Sequence, residues 1–483
     1  MRIDVVFRYV GIVLLFIAAF MLLSAGISCV SGMDSSFYPL LLSALLTILL
    51  GAFPLIFVGK RDQISNKEGF CIVVGAWLVA CVVGMFPYLI WGGEFSLVNA
   101  WFESVSGFTT TGASVLTDVE ALPRGLQFWR FSTTWIGGMG VVMFALVVLP
   151  TMGRSKMTLS NVEMSSLARD NYRYRAQMIV HVLLVVYVGL TAISTVMLKL
   201  SGMNWFDALC HAMSACATSG FSTKNASVAY FDSPLIETVL ILTMGIAGMH
   251  FGLIYATVTG KRNNLFRSEV TRWYVGILLG CSVLIAVSLY AADIYPTLTS
   301  SFRHAAFQVG SIITTTGFST VDFNVWPAVP RAILVLLMFI GACAGSTGGG
   351  IKVSRIVLLF RTMTREIGQI IHPHMVKKLK FEGRVVGQEV LRSVNAFMVA
   401  YVLIFAVSTL FVCLDGFDLV TSFTAVAATL NNIGPGLEMV GPIGNFSCFS
   451  DLSKIVLIFD MLAGRLEIFP LLVLFFRDTW KKF

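Results

Sequence analysis

The chain is short of charge. Asp, Glu, Lys and Arg make up 12% of its 483 residues, against 57% hydrophobic residues and a mean hydropathy of +0.83. A soluble protein carries about 25% charged residues. The string of soluble domains that the length alone would allow is therefore excluded. Paired cysteines are missing too. The nine cysteines include no C-x-x-C, and most lie in apolar runs, where Cys acts as a small hydrophobe. Neither a disulfide framework nor a thiolate metal site follows. There is no H-E-x-x-H, no G-x-S-x-G and no cluster of catalytic carboxylates, which leaves a membrane enzyme without its residues. Gly345 and Gly350 have Walker A spacing, but Ile351 stands where Lys is required, so phosphate binding is excluded as well. No A-x-A site closes the first apolar run, which reads as a retained helix and not as a signal peptide. The net charge of +8 does not point to nucleic acid, because a polytopic membrane protein keeps its excess Lys and Arg in cytoplasmic loops.

What is there is a series of long apolar runs. At about 20 residues per crossing, spans fall near 9–30, 38–59, 69–91, 126–150, 178–200, 234–259, 272–292, 330–359, 388–413 and 453–476. Four shorter segments, 97–109, 205–217, 301–314 and 418–430, cannot cross and read as re-entrant half-helices. Placing both termini in the cytoplasm puts most of the 34 Lys and Arg in inner segments, as the positive-inside rule requires. The largest inner loops, 151–177 and 361–386, read as solvated docking faces. His372 and His374 lie in the second, where a metal site is the weaker reading. The isolated His211 and His250 read as packing residues.

Each half-helix ends at a Gly motif. Thr109-Thr110-Thr111-Gly112, Ala217-Thr218-Ser219-Gly220, Thr314-Thr315-Thr316-Gly317 and the degenerate Asn431-Asn432-Ile433-Gly434 lie 108, 97 and 117 residues apart, Gly to Gly. Small residues recur twelve before each Gly (Ala100, Ala208, Ala305, Ser422) and six before it (Ser106, Ser214, Ser311, Ala428), which reads as close helix packing. The expected fold is an all-α polytopic membrane protein. Four parallel helix, half-helix, turn and helix repeats surround one axis, with two extra N-terminal transmembrane helices. The expected units are 1–67 for the helix pair, 68–152, 177–260 and 270–360 for repeats one to three, 361–386 for a cytoplasmic loop and 387–483 for repeat four. Polar turns at membrane depth need a purpose. Four of them around one axis form a ring of carbonyls able to replace a cation's hydration shell, with the negative ends of the half-helices pointing at it.

Five stretches carry a resemblance. They are S-G-F-T-T-T-G-A at 106–113, T-S-G-F-S-T at 218–223, T-T-G-F-S-T at 315–320, G-S-T-G-G-G-I-K at 345–352 and N-N-I-G-P-G at 431–436. Together these resemble the Trk/Ktr/HKT superfamily of potassium transporters, most closely its TrkH type. The resemblance covers nearly the whole chain and implies potassium uptake across a bacterial inner membrane. It makes Thr110, Thr111, Gly112, Thr218, Ser219, Gly220, Thr315, Thr316, Gly317, Asn432, Ile433 and Gly434 the lining of a potassium filter. Gly112, where sodium-transporting plant relatives have Ser, favours potassium. Ser219 and the fourth turn depart from the T-T-G form and leave the exact selectivity open. The resemblance also implies a homodimer and a separate cytosolic nucleotide-binding subunit of TrkA type. No bound cofactor is implied, and K+ is cargo.

The eighth span is interrupted by glycines, each costing about 1 kcal/mol against Ala in a helix. Gly345, Ser346, Thr347, Gly348, Gly349 and Gly350 read as an intramembrane gating loop, 344–350, with small-residue packing as the plainer reading. The resemblance implies the same obstruction. Lys352 and Arg355 follow it. Arg465 is, by the resemblance, a pore-side charge at this gate; an ion pair with Glu467 or Asp460, two turns apart on one helix, is the alternative. Those acids also keep open a proton- or sodium-coupled symporter.

Overall fold

A computed structural model describes residues 3–59, 66–148, 176–260, 264–374 and 378–475. The 151–177 docking face lies outside these segments except for its last two residues. The described chain is helical apart from one two-stranded hairpin. α1 (Ile3–Val30) and α2 (Phe37–Phe57) form an antiparallel pair. They cross at two glycines: a β-carbon on Gly11 would fall 2.6 Å from the Gly51 carbonyl oxygen, the close approach small residues permit in lipid.

The next helices are α3 (Asn66–Gly84), α4 (Phe86–Trp91), α5 (Leu97–Phe108), α6 (Arg124–Val148), α7 (Ala176–Leu200), α8 (Trp205–Ala217), α9 (Pro234–Ala247) and α10 (Phe251–Val258). Then come α11 (Glu269–Ala291), α12 (Leu298–Ile313), α13 (Ala328–Met338), α14 (Val353–Ile371), α15 (Gln388–Val412), α16 (Leu419–Leu430), α17 (Asp451–Arg465) and α18 (Phe469–Val473). The half-helices α5, α8, α12 and α16 stand close to where the sequence puts them. Each packs on its neighbours, and α17 closes the circuit onto α5.

Six described helices are long and apolar enough to cross a membrane, seven when the bent pair α9–α10 counts as one span. The sequence reading expected ten, and the difference has local causes. α6 has a polar first half, Arg124 to Thr134. The other two candidates, 330–359 and 453–476, are each split into shorter helices.

Three breaks shape the centre. The eighth span stops at Met338 and resumes at Val353, a wider gap than 344–350. Its ends are tied by the parallel bridge of Ile340 to Ile351 and by Gly341 N–H donating to Ile351 O at 2.8 Å. The span expected to run unbroken through 234–259 instead turns by 104° across Gly248–His250. The two interruptions satisfy each other. Cys343 N–H donates to Gly248 O at 3.0 Å, and Phe251 N–H to Gly345 O at 3.1 Å. Buried backbone groups freed by one break thus find partners in the other, as a low-dielectric interior demands. The last span breaks after Arg465, with Glu467 at φ +56° and Ile468 at φ +63°. Such a conformation in a β-branched residue persists only where the surroundings enforce it.

The segment expected as a loop, 361–386, contains regular structure. α14 runs on to Ile371, and strands β1 (Lys380–Phe381) and β2 (Arg384–Val385) pair antiparallel. The Glu382 carboxylate at the hairpin tip accepts from Ser268 Oγ at 2.8 Å and Val270 N–H at 3.1 Å, pinning the hairpin to the start of α11.

Candidate site: a ring of four turns and the loop beneath it

The four half-helices start alike. Ser96, Asn204, Thr297 and Asp418 are N-caps whose side-chain oxygens accept the N–H of Asn99, Asp207, Ser300 and Thr421. Each such cap is worth about 1 kcal/mol. They also end alike. The residue two before each Gly takes a left-handed conformation, Thr110 at φ +53°, Thr218 at +55°, Thr315 at +56° and Asn432 at +54°. Each Gly does the same, at φ +78°, +81°, +88° and +102°. The residue before each Gly donates its N–H back into the half-helix. Thr111 bonds Ser106 O, Ser219 bonds Ser214 O, Thr316 bonds Ser311 O and Ile433 bonds Ala428 O, at 2.8–3.0 Å. Ser106 and Ser311 donate their hydroxyls onward to Ala113 O and Phe318 O, at 2.5 and 2.7 Å. The small residues six before each Gly therefore brace the turns.

The turns touch in a closed cycle. A β-carbon on Gly112 would fall 1.7 Å from Ser219 O, one on Gly220 2.1 Å from Thr316 O, one on Gly317 2.0 Å from Ile433 O, and one on Gly434 2.8 Å from Thr111 O. All twelve residues named from the sequence are thus brought together. Among the described residues, none of the twelve carbonyl oxygens of this ring accepts a hydrogen bond. Buried carbonyls normally find a partner, so these are candidate ligands for an ion.

Charged and aromatic groups hold the limbs that leave the ring. The Glu103 carboxylate accepts from Arg130 Nε at 2.6 Å and Val115 N–H at 3.1 Å, and both side chains of the pair are buried. Arg130 continues to Ser222 O at 3.3 Å, its guanidinium 3.5 Å from the Phe221 ring centroid. His211 bonds Asp207 O and Ser222 Oγ and stacks on Phe318, a packing and bracing role. Farther out, Asn225 donates to Asp118 at 2.8 Å and holds that carboxylate below its ordinary pKa.

The glycine loop lies against the ring on the side where the half-helices end. Gly349 N–H donates to Thr315 Oγ1 at 2.6 Å, and a β-carbon on Gly348 would stand 3.0 Å from Thr314 O. Thr347 Oγ1 donates to Cys216 O at 2.9 Å. The Lys352 ammonium donates to Gly348 O and, at 3.4 Å, to Gly349 O. Arg465 reaches Thr347 O at 2.6 Å and Gly137 O at 2.9 Å. The hydrogen bonds of Arg465 thus go to backbone carbonyls, one of them in the loop, and not to Glu467 or Asp460. Glu467 pairs with Arg355 at 2.7 Å, and Asp460 accepts from Ser408 at 2.6 Å. Because the helix ends at Arg465, Asp460 and Glu467 do not share a helix face as their spacing implied. His250 packs against the loop: its ring crowds Gly345, whose β-carbon would fall 2.7 Å from it.

A family model described as TrkH, cation transport protein, matches residues 40–482. The chain belongs to the TrkH family. A Trk system potassium uptake protein TrkH from Salmonella typhimurium is 39% identical over 88% of both chains, and the Escherichia coli K12 protein of that name is 38% identical over the same shares. A crystal structure of the potassium transporter TrkH from Vibrio parahaemolyticus superposes with a TM-score of 0.90 at 34% identity, covering all of both chains. Membership makes this a multi-pass membrane transporter and not an enzyme.

Proposed function

We propose that this TrkH-family chain takes up potassium across the cytoplasmic membrane through the ring of four turns, with the glycine loop as its gate. The carrying observation is the set of twelve carbonyls, contributed by four equivalent turns and left without hydrogen bonds among the described residues. Carbonyls in such number replace the hydration shell of a bare alkali cation, and the half-helix ends add partial negative charge. The four parallel repeats are the units that deliver one turn each, with the turns toward the outer surface and both termini inside. Residues 345–350 close the path, held by Lys352 and Arg465. A homodimer and a cytosolic nucleotide-binding subunit complete the system, the hairpin at 380–385 being part of the face offered to that subunit. Coupled symport would want a protonatable relay at the ring; Asp460 instead bonds Ser408 on α15.

The test is uptake into proteoliposomes with potassium, rubidium, sodium and lithium compared side by side, for the unaltered chain and Gly317→Ser. The substitution puts a side chain where φ is +88° and Ile433 O intervenes. Potassium and rubidium preference should fall while the protein stays in the membrane. Unchanged rate and selectivity in the variant would refute the ring.

A further inference from the structure

Nine residues before Gly112, Gly220, Gly317 and Gly434 stand Glu103, His211, Gln308 and Ala425. The first three are polar, lie within their half-helices and are 0% exposed. A polar side chain at that depth needs a partner, and each finds one on the limb that leaves its own turn. The Glu103 carboxylate accepts from Ser114 Oγ at 3.1 and 3.2 Å and from Val115 N–H at 3.1 Å. His211 Nδ1 meets Asp207 O at 2.8 Å, a carbonyl that can only accept, so Nδ1 carries the proton. In the neutral ring Nε2 then accepts from Ser222 Oγ at 3.0 Å. Gln308 Nε2 donates to Thr320 Oγ1 at 3.4 Å. All these partners stand two or three residues beyond the Gly.

Ala425 has no polar group to offer, and its neighbour Thr424 takes the part. Thr424 Oγ1 donates to Val420 O at 2.7 Å and accepts Leu437 N–H at 3.0 Å. Leu437 is three residues beyond Gly434. The limb runs close against α16 here, a β-carbon on Gly436 falling 2.9 Å from Thr424 Oγ1, so a short side chain spans the gap. Every turn is thus fastened on both sides of its Gly. Before it, an N–H returns to the half-helix; beyond it, a half-helix side chain holds the outgoing limb. Carbonyl rings choose among cations by the space and the field they present. A turn free to shift inward would close on sodium, which is smaller than potassium.

We infer that Glu103, His211, Gln308 and Thr424 are positioning residues for ion selection, each tying the outgoing limb of its turn to the half-helix and keeping the ring at the width that suits the larger ion. None of the four belongs to the twelve ring residues; they act through the backbone between half-helix and limb. The inference rests on the ring being the ion path.

The test compares potassium and sodium uptake into proteoliposomes of the purified full-length chain, with thermal melting of each variant. Thr424→Val removes the acceptor of Leu437 N–H at constant shape, and Ser222→Ala removes the donor to His211. Each should lower the potassium-to-sodium rate ratio about fivefold, the weight of one hydrogen bond. Thr424→Ser keeps the acceptor and should keep the ratio. His211→Phe retains a ring against Phe318 and should lower the ratio as Ser222→Ala does, with the double variant falling no further, because both remove the same bond. Lower melting temperatures with unchanged ratios would reduce these groups to structural ones and overturn the inference. Should Thr424→Val not fold, Ser222→Ala, which removes a single oxygen, decides. Gly317→Ser reports separately on the ring. A changed preference there beside unchanged ratios in the brace variants overturns the braces and leaves the ring standing; an unchanged preference there removes both.

Discussion

Thr347→Val removes one hydroxyl at constant shape and isolates a single attachment of the glycine loop. In the structure that hydroxyl donates to Cys216 O, the penultimate residue of α8, at 2.9 Å, with Ala247 O farther off at 3.3 Å. Thr347 is 1% exposed, so the abandoned carbonyl finds no water at once. A hydrogen bond of this kind contributes about 1 kcal/mol net, and a stranded buried acceptor costs about 1–3 kcal/mol. The loss falls on the seated state alone if the loop leaves Cys216 when it opens. Seated loop should therefore become less favoured by about 1–3 kcal/mol, a shift of about 5- to 150-fold in the equilibrium. Leak of rubidium from proteoliposomes containing the purified chain measures it directly. Thr347→Ser keeps the donor and should leak like the unaltered protein. Thermal melting checks that Val leaves the fold intact. Leak in the Val variant equal to that of Ser, from equally folded protein, would refute the claim that this contact holds the loop shut.

Two further outcomes follow from the surroundings of the ring. Glu103→Gln leaves Arg130 buried without its counter-charge, which costs about 3–5 kcal/mol; size exclusion and melting of the purified variant should show a marked loss of folded protein, and Arg130→Met in the same chain should recover part of it. Asp118 has a lowered folded pKa through its bond from Asn225, so its contribution is complete above the unfolded value of about 3.9 and is lost as pH falls through the lower folded value. Melting of the unaltered protein should drop across that acid window, and the drop should shrink in Asp118→Asn; equal pH profiles would count against the bridge.

Much of the site was legible because it is local. A half-helix needs a cap, an apolar stretch too short to cross and a Gly at its end, and all of these are written in 17 to 21 consecutive residues. The Ser96, Asn204, Thr297 and Asp418 caps are equally local, three of them 16 residues before their Gly and Thr297 20 before Gly317. The small residues six before each Gly were recognised, but as packing; only the bonds of Ser106 and Ser311 to the far limb of the turn show the brace. The break at Gly248–His250 was not legible at all. An apolar run with three glycines is an acceptable membrane helix, and what opens it is Gly345 and Cys343 about 95 residues later, which offer the backbone partners that the helix gives up. The partners of Arg465 were undecidable for the same reason. Acids five residues before and two after it made an ion pair plausible, whereas Thr347 O and Gly137 O lie 118 and 328 residues away.

Sequence alone therefore determined the membrane class, four short helices and the Gly turns that follow them. Composition and periodicity set these, since apolar length, caps and glycines act over a few turns of chain. Tertiary structure decided that the tips close into one cycle, that one broken span is mated to another, and that two cations sit on the carbonyls of the glycine loop. Each of those facts is a contact between segments distant in the chain, and the free energy that selects it comes from pairing polar groups no single segment can satisfy by itself.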